Sequence, residues 1–263
     1  MKYWLLALSF LLLIPNFFEN NLTEQTENQV KLEDFDPALA KKILSLANLE
    51  SFIDSVAHVR SRNSPMNKEL YANIISSTIR LRFFHSYSHY SPAENWMAAF
   101  AGKYIWYNLS AIVIADDILK YPMAACSQQG IVLMEFFKVR GIPFRKIAFA
   151  HHFAVEGFID GEWIYFDPNL EPEFHGRHDS FEHLQERGRL KEIYKGILPA
   201  DAILTVLAKP LYGEINAYPA PKARILHYSL STLSHSLWAF VLFLFGMKVW
   251  DEKKKKSRAS RKP

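Results

Sequence analysis

The sequence predicts an α+β fold, with helices first and an antiparallel sheet after them. Two features along the chain support this. Up to Val139, apolar residues recur at three- and four-residue spacing, the period of a helix with one buried face. After Gly141 and Pro143 the apolar runs become short, aromatic and β-branched, and Asp160-Gly161 separates two of them as a hairpin turn does. Helices followed by antiparallel strands indicate α+β rather than alternating α/β.

The first helix opens at Asp36-Pro37, with Asp as N-cap and Pro in the first turn. Leu39, Ile43, Leu46, Leu49, Ile53 and Val56 continue it as one apolar stripe. A second helix is expected over about 67–84. The third begins at Ser91-Pro92-Ala93-Glu94, which reads as a capping box, and carries Trp96, Phe100 and Tyr104, an aromatic stripe expected in the core. A loop containing Asp116-Asp117 and Tyr121-Pro122 leads to a fourth helix, from Cys126 to Val139, which Gly141 and Pro143 end. Strands are expected over 142–150, 153–159 and 162–166. Beyond Asn169 the chain is charged and rich in His, and Pro210, Pro219 and Pro221 then mark an extended connector.

The chain has 263 residues, 49% hydrophobic and 22% charged, a globular balance that excludes a disordered, collagen-like or disulfide-scaffold protein. Its net charge of +4 resides in a tail: residues 248–263 hold eight Lys or Arg against two Asp or Glu. The body is close to neutral, so nucleic acid is not expected as a partner. Positions 3–18 carry no charge after Met1-Lys2, which reads as an uncleaved signal anchor, with a cleaved signal peptide as the alternative. Residues 228–247 hold no Lys, Arg, Asp or Glu and span roughly 30 Å as a helix, enough to cross a bilayer. The alternative there is a buried C-terminal helix. The lysine run 253–256 follows and marks the cytoplasmic side, which would put residues 20–227 on the periplasmic or extracellular side of the cell membrane. The expected order is anchor (1–19), helical region (20–91), core with C-terminal extension (92–208), connector (209–227), transmembrane helix (228–250) and basic tail (251–263).

The one cysteine, Cys126, falls at the start of a helix, where free N–H groups and the helix dipole favour a thiolate and can hold an oxyanion. Such a nucleophile needs a base, and the base an orienting acceptor. With Asp160-Gly161 at the centre of the turn, the facing pairs are 158 with 163, 156 with 165, 154 with 167 and 152 with 169. His152, Ala154, Glu156 and Phe158 then share a face with Trp163, Tyr165, Asp167 and Asn169, so His152 and Asp167 become diagonal neighbours. Phe153, Val155, Ile164 and Phe166 form the opposite, dry face, toward which the poorer candidate His151 points. Glu156 and Arg145 are expected to brace the sheet, and Gln128 and Gln129 either to line the site or to face water. His175, His178 and His183 are a weak metal candidate, and no metal or cofactor is expected.

Four segments in order complete the pattern: Cys126-Ser127-Gln128-Gln129-Gly130, Gly141-Ile142-Pro143-Phe144-Arg145, His152-Phe153-Ala154-Val155-Glu156, and Gly161-Glu162-Trp163-Ile164-Tyr165-Phe166-Asp167-Pro168. Together, over roughly 120–170, they closely resemble the transglutaminase-like superfamily, a branch of the papain-like thiol fold. Where many members have Gly two before the cysteine and an aromatic two after the histidine, this chain has Ala124 and Ala154. The resemblance implies Cys126 as nucleophile, His152 as base and Asp167 as orienter. It also implies a peptide or amide substrate, with protease or amidase chemistry ahead of cross-linking. The alternative is a catalytically silent domain that binds an envelope partner. The sequence carries no signal of oligomeric state.

Overall fold

The computed structural model describes residues 3–17, 35–61, 68–170 and 179–259. In chain order the helices before the sheet are α1 (Tyr3–Leu13), α2 (Pro37–Lys42), α3 (Leu46–Ser61), α4 (Lys68–Arg82), α5 (Pro92–Tyr104), α6 (Ala115–Ile118) and α7 (Cys126–Val139). The strands β1 (Phe144–Ala148), β2 (Phe153–Ile159) and β3 (Glu162–Phe166) follow, then α8 (Phe181–Glu186), α9 (Leu190–Ile193), α10 (Ala200–Val206), β4 (Leu211–Tyr212) and α11 (Pro221–Ala259). The fold is therefore α+β, with a four-stranded antiparallel sheet in the order β3-β2-β1-β4. His175 and His178 lie outside the described residues, and His183 is exposed on α8.

The chain divides into two compact units. The larger holds α2–α4, α6–α10 and the sheet. The stripe read as one helix is two, α2 and α3, because backbone groups at the break have other partners. Ile43 O accepts from Arg82 Nε at 3.0 Å, and Leu46 N donates to Asp116 Oδ1 at 2.8 Å. Ser45 then accepts from Asn48 N and starts α3. Arg82 is buried, and its guanidinium also donates to Tyr121 O, Ala40 O and Leu119 O, which ties α2 to the loop ahead of α7.

The hairpin has the expected register, with Glu156 facing Tyr165 and Phe158 facing Trp163. Asp160 and Gly161 both take positive φ, which a tight two-residue hairpin requires. One face of the sheet packs on α7: Phe137 meets Phe166 edge-on at 5.4 Å, and Gly130 lies under Phe153. The other face is also buried, which the sequence did not predict. Ile147, Ala154 and Tyr165 pack there against Phe181, Leu184, Leu190, Ile193, Tyr194, Ile203 and Leu207 from α8, α9, α10 and their connections. Apolar residues spaced through the charged segment after 179 thus form a second layer. Glu156, fully buried, joins that layer to the sheet by accepting from Phe181 N at 2.8 Å and from Arg145 Nε at 2.7 Å.

The smaller unit consists of α1, α5, the 3₁₀ turn Tyr107–Ser110 and α11. Among the described residues one helix, Pro221–Ser257, is long and apolar enough to cross a membrane, and 11% of its most apolar window is buried within the protein. Several of its polar side chains donate within the helix: Thr232 to Tyr228 O, Ser236 to Thr232 O and Trp238 to His235 O. Ser9 of α1 donates to Trp238 O at 2.8 Å. Trp96 is half-buried against this helix, with Nε1 donating to Ser234 O at 3.0 Å, but Phe100 and Tyr104 are exposed rather than in the core. Among the described residues of this unit no further layer covers their side of α5.

Candidate active site

Three element ends meet at the site. Cys126 is the first residue of α7, His152 immediately precedes β2, and Asp167 immediately follows β3. The tight hairpin brings the last two to the same end of the sheet. Met123 is bridged to Phe84, and Ala124 N donates to Phe84 O at 3.1 Å, so the chain enters α7 from a fixed position. At Gly130 an added Cβ would lie 2.6 Å from the Phe153 ring. Glycine there lets the first turns of α7 approach the strand that begins beside His152.

The central contact is His152 Nε2 donating to Asp167 Oδ2 at 2.8 Å, with both side chains buried. Burial alone would push the imidazole toward its neutral form. The Asp167 carboxylate outweighs it through charge and hydrogen bonding, with a smaller contribution from Cys126, and raises the His152 pKa to about 10. Burial likewise opposes ionisation of Asp167, yet the His152 charge and hydrogen bonds from His152, Tyr194 and Leu170 N hold its pKa below the usual value. The pair is therefore imidazolium and carboxylate at neutral pH. Since Nε2 is committed to Asp167, Nδ1 is the nitrogen left for Cys126, which lines the same cleft as the ring.

The carboxylate is held on every side. Oδ1 accepts from Leu170 N at 3.1 Å and Asn169 N at 3.3 Å, and Oδ2 accepts from the Tyr194 hydroxyl at 2.7 Å. Tyr165 and Tyr194 are joined through their hydroxyls at 2.6 Å, so with the Tyr194 proton on Asp167 it is Tyr165 that donates to Tyr194. Burial raises the pKa of both phenols, and they stay protonated donors. Asn169 donates from its side chain to His85 Nδ1 at 3.0 Å.

Gln128 and Gln129 neither face water nor act on the triad. Gln128 Oε1 accepts from Ala125 N and Ser88 N, and Nε2 donates to Ser88 O and Ile112 O, which fixes the start of α7. Gln129 is buried, with Nε2 donating to Ala124 O. The N–H groups of Cys126 and Ser127, in the first turn, have no preceding helical carbonyl and are the donor type that an oxyanion requires.

A cleft of about 460 Å³ opens over Cys126 and His152, walled by Tyr87, Leu198 and Val206. Ala154 does not line it; its side chain packs in the layer behind the sheet. His151 lies on the cleft but is exposed. Among the described residues, no group of three or more His, Cys, Asp or Glu is arranged to hold a metal ion. Sequence reasoning missed Tyr194 and Tyr165 as supports of the carboxylate. Tyr165 appeared only as a face residue of the hairpin, and Tyr194 lies in a segment whose polar composition gave no sign that it packs on the sheet. No protein-family model, no curated protein and no solved structure matches this chain.

Proposed function

We propose that the protein is a membrane-attached thiol enzyme of transglutaminase-like type that transfers the acyl group of an amide through a Cys126 thioester. The observation that carries the reading is the buried His152–Asp167 pair at 2.8 Å beside Cys126. An imidazolium next to the sulfur is the counter-ion that a thiolate nucleophile requires. In the forward step the thiolate attacks the amide carbonyl carbon, and the oxygen becomes an oxyanion facing the first-turn N–H groups of α7. The tetrahedral species collapses, the C–N bond breaks, and the His152 imidazolium gives its proton to the departing amine. In the second step neutral His152 takes a proton from water, the resulting hydroxide attacks the thioester, and the carboxylic acid leaves as the thiolate and imidazolium reform. A second amine in place of water gives transfer instead of hydrolysis. Hydrolysis is the reading proposed first, because the open cleft admits water.

The orientation follows from α11, which carries the lysines 253–256 near its C-terminal end. We place those lysines in the cytoplasm and the catalytic unit on the periplasmic or extracellular side, with α1 as a second anchor against α11. A thiol-directed probe carrying a peptide amide tests the chemistry. Labelling of Cys126 in the full-length protein, absent in Cys126→Ala and strongly reduced in His152→Ala, is expected. Equal labelling of wild type and His152→Ala would refute the assignment.

A further inference from the structure

The end of α5 and the residues after it form an exposed aromatic cluster with no part in the triad. Phe100, Tyr104, Ile105, Trp106 and Tyr107 are each more than half exposed. The Phe100 and Tyr104 rings lie 4.6 Å apart, tilted by 43°, and the Lys103 ammonium lies 5.3 Å from the Tyr104 ring. A contiguous patch of this kind marks an interaction surface.

Hydrogen bonds within the smaller unit fix where the patch lies along α11. Near the start of α5, Asn95 donates to His227 O and accepts from the Ser234 hydroxyl, and Met97 N donates to the same hydroxyl. At its far end Gly102 abuts Ser110, and the adjacent Leu109 has its carbonyl bonded by His227 Nε2 at 3.0 Å. The start of α5 thus spans the levels of residues 227 to 234, and its far end lies at the level of residue 227. The stretch without Asp, Glu, Lys or Arg begins at Ile225, so the levels of His227 and Ser234 lie roughly 3 Å and 14 Å inside it at about 1.5 Å per residue. Helices that lie in a membrane interface sink to about 5–10 Å. The side-chain chemistry agrees: Tyr and Trp pair an apolar body with a polar tip, and Lys extends an apolar stem with its charge toward phosphate.

We infer that Phe100, Tyr104, Ile105, Trp106 and Tyr107 form a lipid-facing surface that holds α5 in the headgroup–acyl boundary of the membrane crossed by α11, with Lys103 at the lipid phosphates. The inference rests on the membrane reading of α11. The test uses the full chain in vesicles of phosphatidylethanolamine and phosphatidylglycerol. With Cys126→Ala as background, an environment-sensitive fluorophore is attached at Trp106→Cys or, separately, Tyr104→Cys, with Phe243→Cys in α11 and Glu182→Cys on α8 as references. Quenching by a lipid carrying a spin label near its headgroup is expected to be at least about threefold stronger at 104 and 106 than at 182. If 104 and 106 match 182 while 243 is shielded from a water-soluble quencher, the inference fails and the membrane reading of α11 stands. If 243 is also open to the aqueous quencher, both fail. Cross-linking of 104 or 106 to a protein rather than to lipid would likewise overturn the lipid assignment.

Discussion

Asp167→Asn removes one charge from the site with almost no change in shape. In the native site the carboxylate overcomes burial and raises the His152 pKa from 6.5 to about 10. Without that charge, burial becomes the dominant influence, and the pKa of the ring falls toward or below 6.5. At pH 7 under about a quarter of the rings would then be imidazolium, where the native site holds nearly all. In either orientation the amide N–H₂ faces two donors, His152 Nε2 and the Tyr194 hydroxyl on one side or Asn169 N and Leu170 N on the other, so the ring loses its fixed support. By analogy with other triads, turnover falls by up to about four orders of magnitude, or about 5.4 kcal/mol of transition-state stabilisation. Stability falls by less, about 1.5–3 kcal/mol, the value of a hydrogen bond to a charged group.

The assay needs no knowledge of the substrate. The second-order rate of iodoacetamide alkylation at Cys126 is measured across pH in the wild type and in Asp167→Asn, and His152 is titrated by NMR of its ring nitrogens. The variant should show a slower alkylation rate near neutrality and a His152 titration moved down by several units. A variant that keeps the native alkylation profile, with His152 still titrating near 10, would refute the role assigned to Asp167.

Tyr194→Phe leaves Oδ2 of Asp167 with one donor fewer; it should lower His152-dependent alkylation by about tenfold, lose about 1–3 kcal/mol in urea denaturation, and leave the alkylation of the unfolded chain unchanged. The stability contributed by the His152–Asp167 pair has a defined pH window. The histidine contribution is complete below its unfolded value of 6.5 and is lost as pH rises through about 10, while the aspartate contribution is complete above 3.8 and is lost as pH falls through its lowered folded value. The stability difference between wild type and His152→Gln should therefore be largest between these two unfolded values and nearly gone above pH 10. Gly130→Ala puts a methyl 2.6 Å from the Phe153 ring; it should cost about 1–3 kcal/mol in thermal denaturation and slow Cys126 alkylation, because α7 must move away from the sheet. His151→Ala, at an exposed position, should change alkylation less than about twofold, and a large loss there would reassign the base.

Much of the site was legible in the sequence because it depends on local rules. Asp160-Gly161 dictates a two-residue turn, that turn sets the register, and the register puts His152 and Asp167 at one end of the sheet. Gly141 and Pro143 end α7, and the change of period after them separates helix from strand. What was not legible depends on long-range contacts. The break after α2 arises from Arg82, Asp116 and Asn48 competing for backbone groups; only Ser45 carried a local hint, as an N-cap inside an otherwise regular stripe. The second layer on the sheet was hidden because its apolar residues are interspersed with Glu, Arg, Lys and His, so each helix presents only a narrow face. The exposure of Phe100 and Tyr104 was hidden for the opposite reason: their spacing is that of a core stripe, and spacing cannot distinguish a protein interior from another apolar surrounding.

The second layer has a consequence for the chemistry. A sheet covered on one face only would leave Asp167 in water, where its charge is screened and a histidine beside it gains little. In the structure Tyr165 and Tyr194 close over the carboxylate, and α8–α10 exclude solvent from behind it. In that dry setting an ionised Asp167 needs donors at both oxygens, and the structure supplies His152 and Tyr194 at one, and Asn169 N and Leu170 N at the other. The same low-dielectric surroundings make the carboxylate strong enough to outweigh the burial of His152. The polar, His-rich stretch after Asn169 therefore leads into the layer that gives the triad its electrostatics. His152 and Asp167 hold their charges chiefly through each other, with the Tyr194 hydroxyl and Leu170 N helping to keep the carboxylate ionised against its burial.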